Sequence, residues 1–139
     1  MRLRLIVSCS LLMVLALVFG GTPAMAQAEK TPAQTYQEYH AALQKAKKVD
    51  ELMKFMSASQ NKQMAAAPAE MKSMALEMFQ TMGVQPGYKV VKEDKTATTA
   101  TLTLEGVDKA KAKTTVTVKM VKEAGAWKID KEESKSVSK

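Results

Sequence analysis

The chain is 139 residues long, carries 21 Lys and Arg against 14 Asp and Glu for a formal net charge of +7, and contains one Cys, one His and 11 Met. That length suits one small domain with a modest core, and a lone cysteine excludes an intramolecular disulfide framework or a cysteine-based metal site. The basic excess consists of dispersed lysines with only 5% aromatic residues; a nucleic-acid surface calls for clustered Arg and Lys interleaved with stacking aromatics, so no nucleic-acid partner is expected.

Arg2 and Arg4 precede an apolar run from Leu5 to Phe19, which gives way to small residues ending in Ala24-Met25-Ala26. This is the pattern of a secretory signal peptide over 1–26. The run is short for a membrane span, which takes roughly 17 to 25 residues. An exported protein is expected, periplasmic or secreted. Cys9 lies inside the apolar run and no cysteine stands at the cleavage point, so neither a lipid anchor nor a thiol nucleophile is expected. A single α+β domain over 27–133 follows, and the Ser- and Lys-rich end, 134–139, is expected to be a disordered tail.

In Thr31-Pro32-Ala33-Gln34, Thr31 can cap a helix, Pro32 suits its first position and Gln34 completes a capping box. Tyr36, Tyr39, His40 and Leu43 then recur at helical spacing as one apolar-aromatic stripe, and Lys45, Lys47 and Lys48 favour the negative end of the dipole. Asp50 is expected to cap a short second helix carrying Leu52, Met53, Phe55 and Met56 through about Ala58. Part of the stretch from Ser59 to Ala67 is expected to be helical, ending near Pro68. The strongest periodicity comes next. Met71, Met74, Met78 and Met82, joined by Ala75 and Phe79, share one side of a helix that stops at Gly83, where the glycine is expected to take the left-handed conformation. This methionine face is expected to be a core face, because methionine fills irregular gaps beneath a sheet.

Tyr88–Glu93, Thr96–Glu105, Thr114–Glu123 and Ala126 to about Glu132 have the Thr- and Val-rich composition of four strands in an antiparallel meander. A two-residue loop at Ala124-Gly125 pairs Glu123 with Ala126, Lys122 with Trp127 and Met120 with Ile129. Val116, Val118 and Met120 then share a face with Trp127 and Ile129. Pairing Leu104 with Val116 and Leu102 with Val118 extends that face through Ala100, and the opposite face is lined by threonines. The preceding helices must cover the apolar face, which gives an α+β fold of N-terminal helices packed on a curved four-stranded meander, cone-like in form. Trp127 is expected to plug this sheet against the methionine helix.

Helices first, the short segment Val49-Asp50-Glu51-Leu52, then Ala67-Pro68-Ala69-Glu70-Met71, and a meander closing on Val118-Lys119-Met120-Val121-Lys122-Glu123-Ala124-Gly125-Ala126-Trp127-Lys128-Ile129: across nearly the whole exported chain, this resembles small exported bacterial proteins of the nuclear transport factor 2-like superfamily. The lipoprotein-type members of unknown function are the most similar, although the lipidated cysteine is missing. The resemblance implies a sheet wrapped around helices as a cone, with a pocket between them and a tendency to dimerise.

Some members of that superfamily are enzymes that use buried Asp, Tyr or His in the cone. Here the matching side chains are Tyr36, Tyr39 and His40, a geometry that could transfer protons. However, no carboxylate falls on the expected inner strand face, and the sequence has no Gly-x-Ser-x-Gly, phosphate loop or His-Glu-x-x-His. The expected function is a non-enzymatic binding or interaction module without cofactor, whose partner is another protein or a second copy of the chain. The alternative is a carrier or enzyme with an apolar small-molecule pocket between helices and sheet, with Tyr36, Tyr39, His40, Met78, Met120 and Trp127 as its lining candidates. A further alternative is copper, since thioethers bind Cu(I) and Met53-x-x-Met56 and Met71-x-x-Met74 place sulfurs in pairs on a helix face. No catalytic or metal-ligating residue is assigned.

Overall fold

The structure, a computed structural model, describes residues 28–137. The leader expected over 1–26, with Cys9 and the cleavage site, lies outside these residues, as do 138 and 139. Helices precede strands in an α+β fold. Helix α1 (Pro32–Lys45), a 3₁₀ helix (Val49–Phe55), α2 (Ala58–Ala66) and α3 (Ala69–Met82) come before β1 (Lys89–Lys95), β2 (Thr99–Val107), β3 (Lys113–Glu123) and β4 (Ala126–Val137). The sheet is open and antiparallel, in the order β1-β2-β3-β4.

Local chemistry accounts for the helix starts. Thr31 accepts from the Gln34 backbone N–H while the Gln34 side chain accepts from Thr31 N–H, the expected capping box, and Pro32 opens α1. Asp50 does not cap the second helix. Glu51 does this work instead, its Oε1 accepting from the Lys47 and Lys48 backbone N–H groups, and the segment winds as a 3₁₀ helix that ends at Phe55. Ser57 then caps α2 by accepting from Gln60 N–H.

Pairings in the sheet follow the expected register where apolar residues specify it. Leu104 faces Val116, Leu102 faces Val118 and Ala100 faces Met120; across the hairpin Glu123 faces Ala126, Lys122 faces Trp127 and Met120 faces Ile129. Both loop residues have positive φ, 49° at Ala124 and 77° at Gly125, the backbone twist that joins right-handed strands in two residues. Strand limits differ in the polar stretches. The turn before β2 is Thr96-Ala97-Thr98, held by Thr96 N–H donating to Thr99 O, and β4 runs on to Val137 instead of ending near Glu132. Its last turn of pairing has a physical cause. Ser134 Oγ donates to Met82 O at 2.9 Å, and the hydroxyls of Ser136 and Thr114 lie 3.0 Å apart, so residues 134–137 are held as strand.

The core lies between the sheet's apolar face and α1 with the 3₁₀ helix. Tyr36, Tyr39 and Leu43 from α1 and Leu52 from the 3₁₀ helix bury against Leu102, Leu104, Val116, Val118 and Met120. Helix α3 departs from expectation. Its four methionines face outward, with 59, 70, 50 and 55% of Met71, Met74, Met78 and Met82 exposed, while Leu76 is the buried residue. The turned orientation follows from the other face. Gln80 Nε2 donates to both Leu43 O and Ala46 O at 2.9 and 3.0 Å, filling carbonyls left open at the end of α1, and Leu76 and Phe79 flank that clasp on the inward side. Gly83 ends α3 with φ −73°, not in the left-handed region. Glycine is required there by space: a Cβ would stand 2.9 Å from Phe79 O.

Trp127 is consequently not beneath the methionine helix. It is 5% exposed at the hairpin end of β4, sharing a hollow with Thr35 and Glu38 of α1 and Lys54 and Phe55 of the 3₁₀ helix. Among the described residues, no helix is long and apolar enough to cross a membrane.

Candidate functional site

A carboxylate does reach the inner face of the sheet. Between Ile129 and Lys131 the β4 pairing shifts by one, with Met120 facing Ile129 and the next pair being Lys119 and Lys131, so Asp130 bulges out of the ladder. Ser57 Oγ donates to Asp130 Oδ1 at 2.8 Å, Gln60 Nε2 donates to Asp130 O at 2.6 Å, and Ser57 N–H donates to Ile129 O at 2.8 Å. After the bulge the inward set is Glu132, Ser134 and Ser136, facing Val118, Val116 and Thr114. Without it, strict alternation from Trp127 and Ile129 would have pointed Lys131, Glu133 and Lys135 at the valines.

Glu132 therefore meets α1. The Tyr36 hydroxyl donates to its Oε1 at 3.4 Å, a long contact, and Oε2 is shielded from solvent with no hydrogen-bond partner. Loss of hydration destabilises the charged form and lifts the carboxyl from an ordinary 4.5 to about 7, against the weaker opposing effect of the Tyr36 hydrogen bond. Burial, and then the nearby Glu132 charge, push the hydroxyls of Tyr36 and Tyr39 well above their ordinary value and raise that of Tyr88, so these groups remain neutral donors.

The rings pack as one cluster. Tyr36 lies 5.7 Å from Tyr39 and, edge-on, 5.7 Å from Tyr88; His40 meets Tyr88 edge-on at 4.8 Å. His40 is buried, and its Nε2 lies 2.6 Å from Val84 O. A carbonyl oxygen only accepts, so Nε2 carries the hydrogen and this face of the ring serves to hold the chain leaving α3.

A cleft of about 130 Å³ opens beside the carboxyl, lined by Met78, Phe79, Met82 and Gly83 from α3 and by Glu132 and Ser134 from β4. Gly83 stands next to the carboxyl, where a Cβ would lie 3.7 Å from Glu132 Oε1, an ordinary contact distance. The arrangement can do two things chemically. It offers an apolar wall to a small ligand, and it presents a carboxyl oxygen that lacks a donor.

Among the expected lining residues, Tyr36 and Tyr39 come together near Glu132, His40 joins the same aromatic cluster behind Tyr88, and Met78 stands at the cleft wall. Met120 and Trp127 are not part of it: Met120 is buried against Ile129, and Trp127 sits before the bulge. Glu132, Ser134, Phe79 and Gly83 were not anticipated as site residues. Among the described residues, no group of three or more His, Cys, Asp or Glu is placed to hold a metal ion.

No family model matches the chain, and neither a curated protein nor a solved structure matches it significantly.

Proposed function

We propose that the protein is a small exported, non-enzymatic binding module of the nuclear transport factor 2-like kind, which contacts another protein or a second copy of itself through the outward face of α3. One observation carries this reading: four methionines in register on one helix are at least half exposed while the same helix buries only Leu76. Unbranched, polarizable thioether side chains adapt to varied apolar partners, and a contiguous apolar patch on a small domain marks a contact surface. The test is native mass spectrometry of the protein purified from its own host, beside a variant with Met71, Met74, Met78 and Met82 replaced by Gln. A dimer or a stoichiometric protein complex in the parent that is lost in the folded variant supports the module. A bare monomer in both overturns it.

A second reading is favoured by the cleft above Glu132. In that reading the protein holds a small molecule between α3 and β4, in line with the apolar-pocket alternative drawn from the sequence.

A further inference from the structure

We infer that the cleft between α3 and β4 is a site for a small amphipathic amine, its ammonium group meeting the Glu132 carboxyl and its apolar part lying against Met78, Phe79 and Met82. The inference rests on the second reading above and names its ligand class.

Three observations converge on it. First, Glu132 Oε2 is buried without any donor, which is costly for a polar oxygen unless something completes it. Among the described residues no such group is supplied, since Tyr36 donates to the other oxygen, the Ser134 hydroxyl is given to Met82 O, and His40 Nε2 is given to Val84 O. Second, no cation among the described residues lines the cleft. Lys131 and Lys135 alternate with Glu132 along β4 and project to the other face, Lys131 pairing there with Glu133. The missing partner is thus a donor, and a positively charged one gives the stronger bond to a carboxylate. Third, about 130 Å³ walled by two thioethers and a phenyl ring is close to the roughly 150 Å³ apolar cavity that accepts benzene. A donor head on the Glu132 carboxyl and a body of one ring or a short alkyl chain fill that space.

Other cavities of the surface are larger, beside Trp127 and beside Tyr88. Their lining side chains include none of the buried atoms that lack a partner among the described residues. Of these cavities of the described residues, the α3–β4 cleft is the one that couples an apolar wall to an incomplete polar contact.

The titratable groups facing Glu132 are Tyr36 and Tyr39 from α1 and Tyr88 ahead of β1, all held neutral, with His40 behind Tyr88. Helix α3 brings no charge to it. Ionisation of Glu132 should therefore control binding of the amine.

The experiment is a titration of the protein, with its methionine methyl groups isotopically labelled, by benzylamine and separately by benzyl alcohol, followed by NMR. Saturable shifts of the Met78 and Met82 methyls, with benzylamine bound roughly tenfold or more tightly at about pH 8 than at about pH 5 and benzyl alcohol indifferent to pH, support the inference. Glu132→Gln should remove the pH dependence and the preference for the amine. The wild-type pH series stands on its own if that variant does not fold. Benzyl alcohol binding as tightly as benzylamine at about pH 8 overturns the amine while leaving a pocket. No saturable shift with either probe overturns the pocket as well.

Discussion

Tyr36 and Glu132, 96 positions apart in the chain, meet with the tyrosine hydroxyl 3.4 Å from the carboxyl, and among the described residues this long contact is the only hydrogen bond the buried carboxyl receives. One weak donor does not compensate for lost hydration, so the carboxyl sits at about 7. The sign of the consequence is fixed. A folded-state value raised above the unfolded one favours folding while the group is protonated, and that contribution disappears as pH climbs from about 4.5 through about 7. Chemical denaturation should show the protein losing stability across this window, by at most on the order of 3 kcal/mol. Glu132→Gln should flatten the curve; a slope unchanged by the substitution would place the titration elsewhere.

Trp127 lines a hollow together with Phe55, with Lys122 Nζ 5.7 Å from its ring centre. Trp127→Ala should cost roughly 3 to 5 kcal/mol, as for other buried large aromatics. Because it lies before the bulge, the Glu132 titration should keep its midpoint in this variant, which separates a packing defect from a site defect.

Ser57 performs two tasks, capping α2 and holding Asp130. Ser57→Ala should cost about 1 to 2 kcal/mol through the cap. It should also loosen the bulge, detectable by faster amide exchange over residues 130–134. Protection unchanged in that stretch would mean that Gln60 and the residue 57 backbone N–H hold the bulge without the hydroxyl.

Ala124 occupies the left-handed region at φ 49°, which penalises a residue with a Cβ. Ala124→Gly should raise stability by about 0.5 to 1 kcal/mol, the relief being partly offset by the greater freedom of unfolded glycine. Thermal unfolding of the pair decides it.

The sheet was legible because its inner strands alternate in a way that admits only one register. Ala100, Leu102 and Leu104 against Val116, Val118 and Met120 would lose every buried side chain on a one-residue slip. The start of α1 was legible for a similar local reason, the Thr31, Pro32 and Gln34 cap. The orientation of α3 was not, since methionine periodicity marks an apolar face without saying whether anything covers it. A glutamine bonded to carbonyls more than thirty positions earlier decided that. Glu132 escaped notice for a different reason. In Ile129-Asp130-Lys131-Glu132-Glu133 nothing announces which residue steps out of the ladder, and the answer lies in Ser57 and Gln60, on a helix remote in sequence.

The bulge also sorts two adjacent, identical side chains. Glu133, outside, is held below its ordinary acidity range by Lys131, with Lys119 and Lys135 adding to the effect; Glu132, inside, is pushed the other way. Ironing out Asp130 would exchange these neighbours, so that Glu133 would meet the buried surroundings and Glu132 the lysines and water. The chemistry of this end of the sheet is thus a matter of parity, an odd or even count of residues from Trp127, set by the helix that grips the extra one.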